Sequence, residues 1–400
     1  MTTFSASPAG GERLHALDAI RGGALLLGVA FHATMSFLPG PQIWVVRDAA
    51  DPGLGLLFFW SHMFRMILFF LIAGYFGRML VERRGAGGFV RDRSRRILLP
   101  LLLFWLPVMA GIVAMFVWGA AAMNGGTMPS QPAPPPAIGL ATFPLTHLWF
   151  LYVLTLFYLA ALVLRRIGGA WLHRGMRILV RRHAVLGLLA LPLAAALAAR
   201  PDWIPSIGIP TPDTGFVPNL AATIAYGMAF GFGWLLNRQS DLLQLFARSW
   251  PAYLGIALGA TATFLALLGM ELPVFAPEAD GTRRLWLAAL YALAAWSWSL
   301  AILGAALRFM TRPSRALRYC ADASYWIYIV HLPVVMALQV AVYPLAASAW
   351  VKFALVLAGA FLILFASYHL LVRHSWLGRW LNGRKYPWKA AKPAMEVKPA

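Results

Sequence analysis

The sequence predicts an all-α, polytopic integral membrane protein of about ten transmembrane helices with both termini in the cytoplasm. Three observations lead there: the composition, the spacing of the apolar runs and the placement of the basic residues. Of the 400 residues, 60% are hydrophobic and only 12% charged, with 17 Trp and 25 Phe. That balance belongs to a chain whose surface meets lipid, not to a water-soluble domain of this size. Apolar runs of bilayer-spanning length recur from Leu17 almost to Arg373 and leave no room for a separate soluble domain. The expected organisation is a tail at 1–15, one transmembrane domain at 16–372 and a basic tail at 373–400.

The spans are expected near 16–39, 54–80, 96–122, 147–166, 184–200, 219–236, 250–270, 285–307, 320–344 and 349–372. The first holds Arg21 and is followed by many more, so it reads as an uncleaved helix and not a removed signal peptide. The fifth is short and contains Pro192, and the charge pattern argues for keeping it. With the N-terminus inside, the cytoplasmic segments carry 27 Lys and Arg, whereas the outer loops carry Arg47, Arg200, Arg283 and Arg284. This asymmetry orients the chain. It also assigns the formal charge of +20 to topology, so no nucleic-acid partner is expected.

Among the connections, the outer ones at Asn124–Pro144 and Glu271–Asp280 are rich in proline and glycine and read as extended or turn-like. Gly168–Arg182 reads as a basic amphipathic stretch bound to anionic headgroups of membrane lipids on the cytoplasmic leaflet. The lone Cys320 excludes an intramolecular disulfide and any multi-cysteine metal site, and no metal is expected. There is no repeat period, Walker loop or dinucleotide fingerprint.

Charged and imidazole side chains inside a span cost several kcal/mol unless they face a wet or paired interior. Four stand out: Arg21, His32, Arg65 and His331. Arg21 and His32 are eleven residues apart on one helix, hence about 20° apart around the axis and roughly 16 Å apart along it. They share a face at two depths, Arg21 toward the cytoplasm and His32 beyond the middle. Arg65 and His331 fall near mid-membrane on their own spans. The bland reading pairs such groups only to hold helices together, and it is preferred for His62 and for His147 at a helix end. Arg91, Arg93, Arg95 and Arg96 precede the third span. Most of them read as a positive-inside cluster, while Arg93 and Arg96 suit a polyanion at a helix start. Asp18 reads as complementing the first helix N-terminus. Trp149, Trp296, Trp298 and Trp326 read as interface belts more readily than as sugar-stacking platforms.

Several motifs carry a resemblance. Leu17-Asp18-Ala19-Ile20-Arg21 followed by Phe31-His32, then Phe64-Arg65-Met66, Phe69 through Phe76, Arg93 through Pro100, His147 through Leu151 and Ser324 through Pro333 resemble the membrane acyltransferase 3 family, in the right order from Leu14 to about Pro333. The grouping of His62, Phe64 and Arg65 and the block at His147 look most like the branch that succinylates osmoregulated periplasmic glucans. The resemblance implies a multi-pass O-acyltransferase of a bacterial inner membrane. Its arginine-ten-residue-histidine motif falls on Arg21 and His32, and its Arg-x-x-Arg motif on Arg93 and Arg96. The family's usual serine before Gly74 is Ala73 here, so that hydroxyl is missing.

The expected donor is an acyl-CoA, succinyl-CoA or acetyl-CoA, arriving from the cytoplasm with its phosphates on Arg93 and Arg96, joined by Arg21. The expected acceptor is a hydroxyl of a periplasmic glucan or polysaccharide. His32 is expected as general base or as an acylated relay. Arg65 or Arg21 is expected to stabilise the oxyanion, with Arg65 the group for a succinyl carboxylate. His331 is expected as a second base or as the residue that orients His32. The rival reading is a transporter or flippase of a lipid-linked sugar, which also needs mid-membrane charge.

Overall fold

The computed structural model describes residues 10–128, 138–165, 170–182, 184–269, 275–383 and 386–387. Residues 1–9, nearly all of 384–400 and parts of the two connections expected to be outer and proline-rich lie outside the described residues. The described chain is helical. Twelve α-helices are defined: α1 (Gly10–Thr34), α2 (Pro52–Arg93), α3 (Leu99–Met123), α4 (Trp149–Leu164), α5 (Ala170–Arg181), α6 (Val185–Ala198), α7 (Leu220–Leu236), α8 (Ser240–Leu268), α9 (Gly281–Phe309), α10 (Arg315–Val342), α11 (Ala349–Ser367) and α12 (Trp376–Asn382). The one β-type contact among them is an isolated bridge between Pro144 and Thr214.

Each of the ten apolar segments marked in the sequence is helical, and seven helical stretches are long and apolar enough to cross a membrane. One of these, Pro52–Met123, runs through both α2 and α3. The cytoplasmic connection expected at 77–96 is itself helical: α2 continues to Arg93, broken at Gly85 (φ +67°), and a wide π-type turn at Ser94–Leu98 leads into α3. Glycine takes that left-handed φ without steric penalty. The basic stretch before the fifth span forms α5, with Met176 and Val180 on its buried side, and α5 meets α6 at 102°.

Helix α1 packs against α2, α9, α10 and α11, α2 against α7, and α8 against α9. The α2–α7 contact depends on glycine. A Cβ on Gly74 would meet the Phe230 carbonyl, and one on Gly233 the Leu71 carbonyl, so the two backbones touch. Outward-facing α3 side chains such as Leu102, Leu103, Leu106 and Val113 are exposed and apolar, as lipid contact requires. At the starts of α2, α7, α9 and α11, Asp51, Asn219, Asp280 and Ser348 accept from first-turn N–H groups. The connection after α1 is pinned by a buried ion pair: Lys352 Nζ lies 2.9 Å from both Asp48 oxygens and also donates to Tyr343 O.

Candidate functional site: two cavities along the first helix

The Arg21–His32 face of α1 borders two cavities. The outer one, about 480 Å³, is lined by His32, His62, Arg65, His147 and His331, with Trp44 and Trp149 among its aromatic walls. The inner one, about 260 Å³, is lined by Arg21, Arg93 and Arg96. Leu25, Phe69 and Phe150 belong to both linings, so the cavities meet at a shared apolar wall.

Hydrogen bonds in the outer cavity fix which face of each imidazole is free. A carbonyl oxygen only accepts, so the ring nitrogen facing it must carry the hydrogen. His331 Nδ1–H donates to Tyr328 O (2.8 Å), His147 Nε2–H to Ile329 O (3.1 Å) and His62 Nε2–H to Ile209 O (3.3 Å). In the neutral rings the opposite nitrogens, His331 Nε2, His147 Nδ1 and His62 Nδ1, then keep lone pairs, and all three are buried without a partner. The His147 contact has a cause in sequence. Pro333 has no N–H to return to the carbonyl four residues back, which leaves Ile329 O free for His147.

His32 sits among these rings, 5.2 Å from His331, which is 5.0 Å from His147. Its ring stacks on Trp44, and its Nδ1 is buried and unpartnered. Trp44 in turn donates to Gln339 Oε1 (2.7 Å), and Gln339 Nε2 donates to the carbonyls of His32 and Ala33 (3.1 Å each). These are last-turn carbonyls of α1 that the helix itself leaves unpaired. Arg65 lies over the Phe31 ring (4.3 Å to its centroid) and beside Gly28, is 7% exposed, and keeps Nη1 unpartnered. Among the described residues no carboxylate forms an ion pair with it. At the rim, the connection before α7 contributes Asp213, whose carboxyl is pushed above the usual carboxylate range by burial.

Behind the inner cavity, Asp92 gathers three arginines: Arg84 (3.1 Å), Arg96 (3.5 Å) and Arg93 (3.8 Å). The lining itself sets Arg21, Arg93 and Arg96 against one carboxylate, Asp322, a positive excess suited to a polyanion. Arg93 also lies over Tyr158 (5.1 Å). The beginning of the region read as a basic tail contributes α12, whose Leu381 and Asn382 complete the wall.

The structure therefore brings His32, Arg65 and His331 together in the outer cavity and Arg21, Arg93 and Arg96 in the inner one. It separates Arg21 from the outer centre: Arg21 pairs with Asp18 (3.1 Å) and is absent from the outer lining. Asp18 accordingly has a different role from the one expected, because α1 begins at Gly10 and Asp18 is no longer in its first turn. His62 and His147 do tie helices to neighbouring backbone, as the bland reading holds, but each also presents a free nitrogen to the cavity. Of the four tryptophans considered, Trp149 lines the cavity, whereas Trp298 donates to Thr261 and Trp326 to Ser367. Trp44, Gln339 and Thr146 were not singled out in the sequence. Pro333 was the available signal for His147.

Fold and site define a multi-pass membrane protein with a buried imidazole–guanidinium centre above a basic cavity. The family profile described as acyltransferase domain matches residues 14–370, and the chain belongs to the membrane acyltransferase 3 family. Among curated relatives, glucans biosynthesis protein C of Shigella boydii serotype 4 (strain Sb227) and that of Escherichia coli (strain SMS-3-5 / SECEC) are each 34% identical to it over 154 residues. The matched region spans 37% of this chain and 38% of those relatives. No solved structure matches the chain.

Proposed function

We propose that the protein crosses a bacterial inner membrane ten times with both termini in the cytoplasm, and transfers an acyl group from cytoplasmic acyl-CoA to hydroxyls of a periplasmic glucan or related polysaccharide. The observation that carries the reading is the tandem of cavities on one face of α1, basic inside and imidazole-lined outside, with a common wall at Leu25, Phe69 and Phe150. The CoA phosphates rest on Arg93 and Arg96 with Arg21 at the same mouth, and the pantetheine arm carries the thioester past the common wall. His32 takes the proton of the acceptor hydroxyl. His331 stands 5.2 Å away and orients or relieves it.

The acyl group is succinyl in preference to acetyl. Among the described residues Arg65 is a buried guanidinium without a carboxylate partner, and a dicarboxylic acyl group supplies one. The family agrees with acyl transfer, and the name of the matched relatives, glucans biosynthesis protein C, agrees with glucan as the acceptor. The test compares glucans from cells carrying wild-type protein or His32→Ala by mass spectrometry. Loss of the ester mass increment is expected. An unchanged ester profile with glucan retained inside the cell would instead support transport.

A further inference from the structure

Thr146 is the one non-glycine residue with positive φ (+50°) among the described residues. A β-branched side chain rarely adopts that conformation, because Cβ crowds its own backbone. It is held there by neighbours: Thr146 N donates to Asp213 O (3.1 Å), Gly215 N to Phe143 O (2.9 Å) and Trp105 Nε1 to Pro144 O (2.8 Å). The strained residue lines the outer cavity, and its Oγ1 is buried without a partner. It also opens the helical run 146–164, whose first-turn N–H groups have no acceptor within the helix. The adjacent His147 is 7% exposed, with its free Nδ1 buried in the same wall.

The donor inventory gives this hydroxyl its meaning. His62, His147 and His331 offer lone pairs to the cavity, and Arg65 Nη1 and Thr146 Oγ1 are buried, unpartnered donors in its lining among the described residues. Arg21 lies in the inner cavity, and the proposed function commits Arg65 to the acyl carboxylate. We propose that Thr146 is a catalytic residue whose hydroxyl, at the positive end of the α4 helical run, donates a hydrogen bond to the carbonyl oxygen of the acyl group as it becomes an oxyanion. This rests on the acyl-transfer reading above. The acceptor oxygen bonds to the thioester carbon, its proton passes to His32, and the carbonyl π pair moves onto the oxygen held by Thr146. When the carbonyl re-forms, the C–S bond breaks and the CoA thiolate takes the proton from His32.

The test measures acyl transfer and thermal melting of purified Thr146→Val, Thr146→Ser and Thr146→Gly beside His32→Ala. Valine keeps the shape and the strain but removes the donor, so kcat should fall about 100-fold, as for other single oxyanion donors, with KM for acyl-CoA nearly unchanged. Serine should retain most of the rate. Glycine relieves the backbone and should melt higher than wild type while losing rate as valine does. Wild-type rate in Thr146→Val, or in Thr146→Gly, overturns the assignment. So does a serine variant as slow as valine. No acyl transfer by the wild-type protein would instead overturn the acyl-transfer reading itself, whereas full transfer by His32→Ala would overturn only the role given to His32.

Discussion

A guanidinium held inside a membrane protein without a carboxylate carries a desolvation cost that packing alone does not repay. Arg65 is in that state, relieved in part by the Phe31 face beneath it. If its partner is the free carboxylate of the acyl group, Arg65→Gln should reduce succinyl transfer about 10- to 100-fold, the equivalent of losing one charge-assisted hydrogen bond worth roughly 1.5–3 kcal/mol. Acetyl transfer should change little, and the melting temperature should hold or rise, because an uncompensated charge has gone. Parallel assays with labelled succinyl-CoA and acetyl-CoA decide it, and an equal loss for both would assign Arg65 to the shared chemistry. Gln339 poses a different question, since it joins Trp44 to the last carbonyls of α1. Gln339→Leu strips those groups of their partners, at about 1–3 kcal/mol for each that stays dry. Melting in detergent should drop, and activity should fall with it, because the His32 ring stacks on the freed Trp44.

Helix α2 carries His62 and Arg65, and α7 sets its position. Gly74 and Gly233 let the two backbones touch, whereas Gly231, two residues away on α7, faces open space. Gly233→Ala should therefore force the helices apart, lowering both the melting temperature and the rate. Gly231→Ala should do neither, and near-equal effects of the two would remove close packing as the cause. Such contacts are invisible in a hydropathy pattern, which reads one helix at a time. The helices themselves were legible because each is an apolar run, and the shared face of Arg21 and His32 because it follows from helical geometry within a single element. The place of His62 and His147 was not, since it depends on backbone carbonyls of Ile209 and Ile329, 147 and 182 residues distant in the chain. The helical path through 77–96 was obscured for another reason: its arginines bear on sidedness without specifying loop or helix. Thr146 was hidden because strain belongs to backbone dihedrals, which residue type alone does not reveal.

At the scale of the whole molecule the proposal is a path between two aqueous compartments, and it makes two demands. The first is orientation. In a Cys320→Ser background, a cysteine at exposed Met128 should react with a membrane-impermeant maleimide added to the periplasmic side, and one at exposed Gly87 only after the membrane is opened. The reverse pattern would invert the donor and acceptor faces. The second demand is continuity. Leu25 belongs to both cavity walls and carries no chemistry of its own, so its size can be changed without touching a base or a phosphate contact. Leu25→Trp should fill the junction, leaving acyl-CoA binding at Arg93 and Arg96 intact while ester formation falls by at least an order of magnitude, because misplacing the reacting carbon by even an ångström is costly. Leu25→Ala should bind and transfer. Equilibrium binding of labelled acyl-CoA, ester formation and melting, measured on both variants, separate a blocked path from a damaged fold. Transfer at the wild-type rate through a tryptophan at this position would mean that the thioester reaches His32 by another route.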